Sequence, residues 1–195
     1  MTHEASKCYS ILSSDEELNV HSVLDCLIHG QSIPDLSIIK QAGWIAVPVE
    51  SASHFDSFDI ACLIHAMHGA STQYFYVIPF EGFMNVAEYL KVTSSVEGIT
   101  YVNKTYSFFN IIMVAENASW LCIATVRDYF IYVGLPEFIE AAVGRSIEAQ
   151  YLAFHTFATN PIGPDTVRNE LVRILHTCRI EYAHAEAGEP IELLL

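Results

Sequence analysis

The chain of 195 residues is 52% apolar and only 16% charged, which excludes intrinsic disorder, collagen-like repeats and low-complexity classes. That length fits one domain whose core needs no metal or disulfide staple. Its 23 acids against 9 lysines and arginines give a formal charge of -14, a field that repels phosphate backbones and anionic lipid surfaces, so neither nucleic acid nor membrane is an expected partner.

The first predicted element is a helix. Ser14 and Glu17 form a capping box, Val20, Leu24, Leu27 and Ile28 share one face, and Gly30 closes it. Pro34 opens a short second helix over 35–42 with Gly43 as its stop. Residues 44–49 predict a strand, placed at an edge by Pro48. A helix follows over 53–69, with Phe58, Cys62, Ile64 and His65 turned inward and Gly69 at its end. Residues 73–80 form an aromatic, β-branched strand, and 82–90 fit a short helix.

Four strand-like runs come next, over 99–103, 106–115, 120–126 and 129–134. The short gaps within 106–134 force antiparallel neighbours, and the apolar character of both faces predicts a sheet covered on both sides. Helices are expected over 135–143, closed by Gly144, and over 148–158 and 165–183. In the last of these Val167, Leu171, Ile174, Leu175 and Cys178 form a stripe, and residues 160–164 are a linker. The acidic tail over 185–195 is either an extra strand or a docking arm. The expected fold is a single α+β domain over 1–195: a mainly antiparallel central sheet of about five to six strands, with helices before and after it.

No apolar run approaches the ~18–20 residues of a spanning helix, and the N-terminus has no basic start followed by an apolar stretch. Five cysteines, odd in number and without a Cys-x-x-Cys, suit a reducing cytoplasm.

The densest reactive cluster is His54, Asp56, Asp59, Cys62, His65 and His68. On a helix Asp59, Cys62 and His65 run along one slowly drifting stripe, and such types can bind zinc or set a thiolate beside an imidazole. A core cysteine with histidines at the helix margin explains the same letters without chemistry. Ser37 and Lys40 have the Ser-x-x-Lys spacing of penicillin-recognising acyl enzymes but lack their partner motifs. His184 and Glu186 have the His-x-Glu of zinc deaminases without the Pro-Cys-x-x-Cys. Acids at Asp15, Glu16 and Glu17, and at Glu137 and Glu140, fit the first turns of helices, where they complement the dipole. No cofactor or metal motif is complete.

Tyrosines and phenylalanines gather at 74–76, 106–109 and 129–132. A row of exposed phenols bordered by acids suits a protein interface; core packing accounts for the same residues equally well. The segment from Trp120 to Gly134, followed by Leu-Pro-Glu-Phe, resembles the hairpin of small bacterial immunity proteins that neutralise polymorphic toxins, including the broad SUKH-like group. The resemblance covers about 20 residues, lacks the Gly-Asp-rich turn of SUKH-like members and carries over no functional residue. It implies an acidic, cytosolic α+β inhibitor of a basic protein. Asp56, Asp59, Asp128 and Tyr129 are the expected partner-binding residues. The alternatives are a Cys62/His65 or His65/His68-zinc enzyme and a homo-oligomeric structural or adaptor subunit.

Overall fold

The computed structural model describes residues 8–29, 33–34, 43–51, 55–81, 88–127, 129–159 and 165–187. In chain order these form β1 (Tyr9–Ile11), α1 (Ser14–Leu27), β2 (Ile28–His29), β3 (Ile33–Pro34) and β4 (Ile45–Glu50). Next come α2 (Ser57–Gly69), β5 (Tyr74–Glu81), β6 (Leu90–Thr93), α3 (Val96–Thr105) and β7 (Asn110–Ala115). The rest is β8 (Trp120–Ala124), β9 (Tyr129–Gly134), α4 (Pro136–Val143), α5 (Ile147–Thr159) and α6 (Asp165–Ala187).

The short turns of 110–134 produce the expected meander: Ile112 stands opposite Ile123, and Ile123 opposite Ile131. Around it grows a 7-stranded sheet in the order β1-β6-β5-β7-β8-β9-β4, antiparallel at every pairing. The fold is α+β, with slightly more strands than expected. Every residue of β7, β8 and β9 is buried, as a sheet covered on both faces requires. Side chains alternate, so Trp120, Cys122, Phe130 and Tyr132 share one face. There the Trp120 ring stacks on Phe138 of α4 at 5.2 Å and Phe55 stacks on Phe130 at 4.5 Å.

Pro48 places β4 at a sheet edge, as expected. The open side of that edge is covered: the Tyr151 hydroxyl donates to the Ala46 carbonyl at 2.7 Å, and Gln150 Nε2 donates to the Pro48 carbonyl at 3.1 Å. Helix α5 thus takes the place of an eighth strand and blocks edge-to-edge pairing. Leu171, Ile174, Leu175 and Cys178 of α6 are buried, while Val167 at the head of the expected stripe is 38% exposed.

Several expectations shift or fail. Residues 99–103 are helical within α3. Ser95 caps it, its Oγ accepting from the Gly98 N–H at 3.1 Å, and Ile99 and Val102, three apart, bury one face. The strand expected over 106–115 accordingly starts at Asn110. Strand β8 stops at Ala124 because Thr125 turns the chain, its Oγ1 donating to the Tyr129 carbonyl at 2.8 Å. The α1 capping box slips by one residue to Ser13 and Glu16, with Ser13 N and Oγ both 2.9 Å from Glu16 Oε2. Val20 and Leu24 are buried as expected, but Ile28 leaves the helix for β2. Helix α2 begins at Ser57, not 53, and buries Leu63, Ala66 and Met67, so Phe58 and His65 face outward. Leu90 opens β6 and is not helical. The second helix over 35–42 with Ser37 and Lys40, most of 82–90, the linker 160–164 and the tail beyond 187 lie outside the described residues. Among the described residues no helix is long and apolar enough to cross a membrane.

Candidate functional site

Asp56 stands just before α2 in extended conformation, which lets its side chain turn back onto the helix. Its Oδ1 accepts from the N–H groups of Phe58 at 2.7 Å and Asp59 at 2.8 Å. Asp59 reciprocates, its Oδ2 accepting from the Asp56 N–H at 3.0 Å. The two candidate acids are therefore brought together in a capping box. One oxygen of each carboxylate is committed to the helix start, and the other is not used by any hydrogen bond among the described residues.

Both acids line a cleft of about 290 Å³ at the end of β4. Strand β4 contributes Val49 and Glu50, and α5 contributes Gln150 and Ala153. The remaining charged wall comes from Arg145, and Tyr132 of β9 also lines the space. Arg145 reaches this place because α4 ends on Gly144 in the left-handed region (φ 66°), its N–H donating to the Glu140 carbonyl at 3.0 Å. A Cβ on Gly144 would lie 2.7 Å from Phe58 Cζ and 2.8 Å from Cys62 Sγ. Glycine there permits both the turn and the close packing of α4 on the first turn of α2.

Burial pushes the Asp59 carboxyl above the ordinary aspartate value; its bond from the Asp56 N–H pulls the other way, the Asp56 charge adds to the rise, and Arg145 opposes it. Tyr132 is 1% exposed and its hydroxyl has no hydrogen-bond partner among the described residues. Burial holds that phenol far above its usual range, reinforced by Cys122, Asp59 and Cys62. It is a neutral donor and acceptor left over by the fold, whereas buried hydroxyls are normally paired.

The reactive cluster read from the sequence divides. Cys62 packs beside Gly144, and burial followed by the charges of Asp59 and Asp56 pushes its thiol up, the opposite of an activated thiolate. His65 and His68 are exposed, and His65 lines a separate, mostly apolar cleft of about 390 Å³ with Leu135, Glu137 and Phe138. Among the described residues no three His, Cys, Asp or Glu side chains are placed to hold a metal ion. Side chains at 184 and 186 lie outside the described residues.

Tyr129 is 2% exposed. It opens β9 and faces away from Tyr132, and burial pushes its phenol up to about 12; it offers no partner-facing surface. Asp128 lies outside the described residues. Of the two readings of the tyrosines, core packing holds for Tyr106, Tyr129 and Tyr132, which are buried. Tyr74 and Tyr76 remain partly open, with Lys91 Nζ 4.9 and 6.0 Å from their ring centres.

Sequence reasoning found the Asp pair but missed Glu50, Tyr132, Arg145 and Gln150. The only signal for Arg145 was its place after a helix-stopping glycine, and for Tyr132 its alternation with Phe130. Compared with known proteins, the chain matches no family model, no curated protein and no solved structure.

Proposed function

We propose that the chain is a non-enzymatic acidic binding protein whose partner is a basic protein, in the manner of an immunity-type inhibitor that occludes a toxin or effector. The observation that carries this reading is the cleft, where Glu50, Asp56 and Asp59 outnumber Arg145 on a chain of charge -14. Such a field attracts a cationic surface over distance and raises the encounter rate. Contacts made inside a desolvated cleft then set how long the complex lasts. Burial and the neighbouring acids push the Cys62 thiol up, which disfavours it as a nucleophile.

The test is native mass spectrometry of the full chain purified from its own host cells. A stoichiometric complex with a basic polypeptide is the expected result. A bare monomer, a closed oligomer of this chain alone, or a zinc-loaded species overturns it. The binding face is then checked with the double variant Asp56→Asn, Asp59→Asn, in which the amide oxygens still cap α2. Its affinity for the recovered polypeptide falls at least tenfold if the cleft lies in the interface, about the loss of one good charged contact.

A further inference from the structure

The cleft has a polarity and a size that point to a particular occupant. Among the described residues, its three carboxylates against one guanidinium leave two negative charges in excess. The capping oxygens are Asp56 Oδ1 and Asp59 Oδ2, so Asp56 Oδ2 and Asp59 Oδ1 are the ones left for a ligand. The second, independent observation is Tyr132: a side chain 1% exposed that lines the cleft and whose hydroxyl has no hydrogen-bond partner among the described residues. Helix capping accounts for the aspartates but not for an orphaned phenol in the sheet beside them. The rest of the wall mixes the polar Ser51 and Gln150 with an apolar side made of Val49, Val143 and the 53% exposed ring of Phe58. About 290 Å³ is at the small end of ligand pockets, enough for one side-chain-sized group.

We propose that this cleft receives a single organic cation, an ammonium or guanidinium head on a short apolar stem, with the Tyr132 hydroxyl accepting a hydrogen bond from the head and Asp59 and Asp56 balancing its charge. An ammonium or guanidinium carries only donors, which matches two free carboxylate oxygens and a phenolic oxygen, while an anion would meet the excess carboxylates. Phe58 lies beside the stem, where a cation near an aromatic face gains further. The head group has two sources, a lysine or arginine side chain of the basic partner or a free small amine. The first rests on the function proposed above; the site itself does not.

The experiment titrates the full-length chain with propylammonium and propylguanidinium, and with propionamide and propionate as neutral and anionic counterparts, following backbone amide shifts by NMR. The expected result is saturable shifts at Phe58, Asp59 and Arg145 with one or both cations only. Tyr132→Phe, which removes an unpaired buried hydroxyl and leaves the ring, weakens cation binding by about threefold to tenfold, the loss of one hydrogen bond to a charged group. Asp59→Asn weakens it further. Saturation by propionate, no saturation by any probe (a cleft that holds water only), or unchanged affinity in Tyr132→Phe would each overturn the proposal.

The two proposals fail separately. If the cations bind but no basic polypeptide is recovered from cells, the partner reading falls and the cation site stands. If a basic polypeptide binds wild type and Asp56→Asn, Asp59→Asn equally, and the probes do not bind, the site falls and the partner reading stands. Competition between propylguanidinium and the polypeptide assigns the cation to the partner's side chain; simultaneous binding assigns it to a free amine. Both arms support the site.

Discussion

Asp59 carries two conflicting demands. It must cap a helix as a carboxylate, yet it is partly buried beside Asp56. Burial dominates and raises its pKa in the folded chain. The native state therefore holds the Asp59 proton more tightly than the unfolded state does. The associated stability is fully present below the unfolded pKa and is lost as pH rises through the folded one. Asp59→Asn keeps an acceptor for the Asp56 N–H but cannot titrate. Urea unfolding of both proteins across about pH 3 to 7, the range in which a perturbed aspartate titrates, should show the variant gaining on wild type as pH rises. A gain in the opposite direction would mean that the carboxylate is stabilised by the fold. The aspartate pair was legible only as two acids close together in sequence; with the helix expected from residue 53, their reciprocal capping of a helix that begins at Ser57 was not. Tyr132 was not legible: its neighbours in β9 read equally well as core, and a hydroxyl without a partner among the described residues shows only in the packed structure.

At the scale of the element, propensity and context disagree most clearly in α3. Ile99, Thr100, Tyr101 and Val102 are good strand residues, and locally they read as one. Tertiary packing decides otherwise. Ser95 caps the segment, the Tyr101 ring stacks on Tyr9 at 3.9 Å, and Gly98 lets the helix lie directly on the end of β6. A Cβ at Gly98 would sit on the Thr93 carbonyl oxygen and 2.9 Å from Val92 Cγ1. Because that oxygen belongs to the backbone of a paired strand, it cannot swing aside. Gly98→Ala should cost about 2–3 kcal/mol by overpacking, despite alanine's better helix propensity. Denaturant midpoints measure this, and a variant as stable as wild type would mean that α3 does not press on β6 in this way. Elements whose signals were purely local were read well: β9 and α4 match their expected limits, with Pro136 at the start and Gly144 at the end. Those that depend on a distant partner were not, and the inward face of α2 is the second case. There Phe58 and Cys62 answer to Gly144, more than eighty residues away in the chain.

For the whole molecule, the shortage of cations matters more than any one acid. Replacing Asp56 and Asp59 by asparagine removes two of the 14 net negative charges, so the long-range field that steers a basic partner is nearly unchanged. What the variant loses is local, in the cleft. The two roles therefore separate in kinetics. Raising NaCl from about 0.05 to 0.5 M shortens the screening length severalfold and should slow association of the recovered basic polypeptide by about tenfold or more. This fall should be nearly the same for wild type and the double variant. Dissociation should be faster in the variant at every salt concentration, since contacts inside a partly desolvated cleft are screened little. Surface plasmon resonance across a salt series resolves both rates. If the variant instead loses its salt dependence while its dissociation rate is unchanged, the acids act as steering charges and the cleft does not hold the partner. If neither rate responds to salt or substitution, the acidity of the chain serves solubility and the interface lies elsewhere.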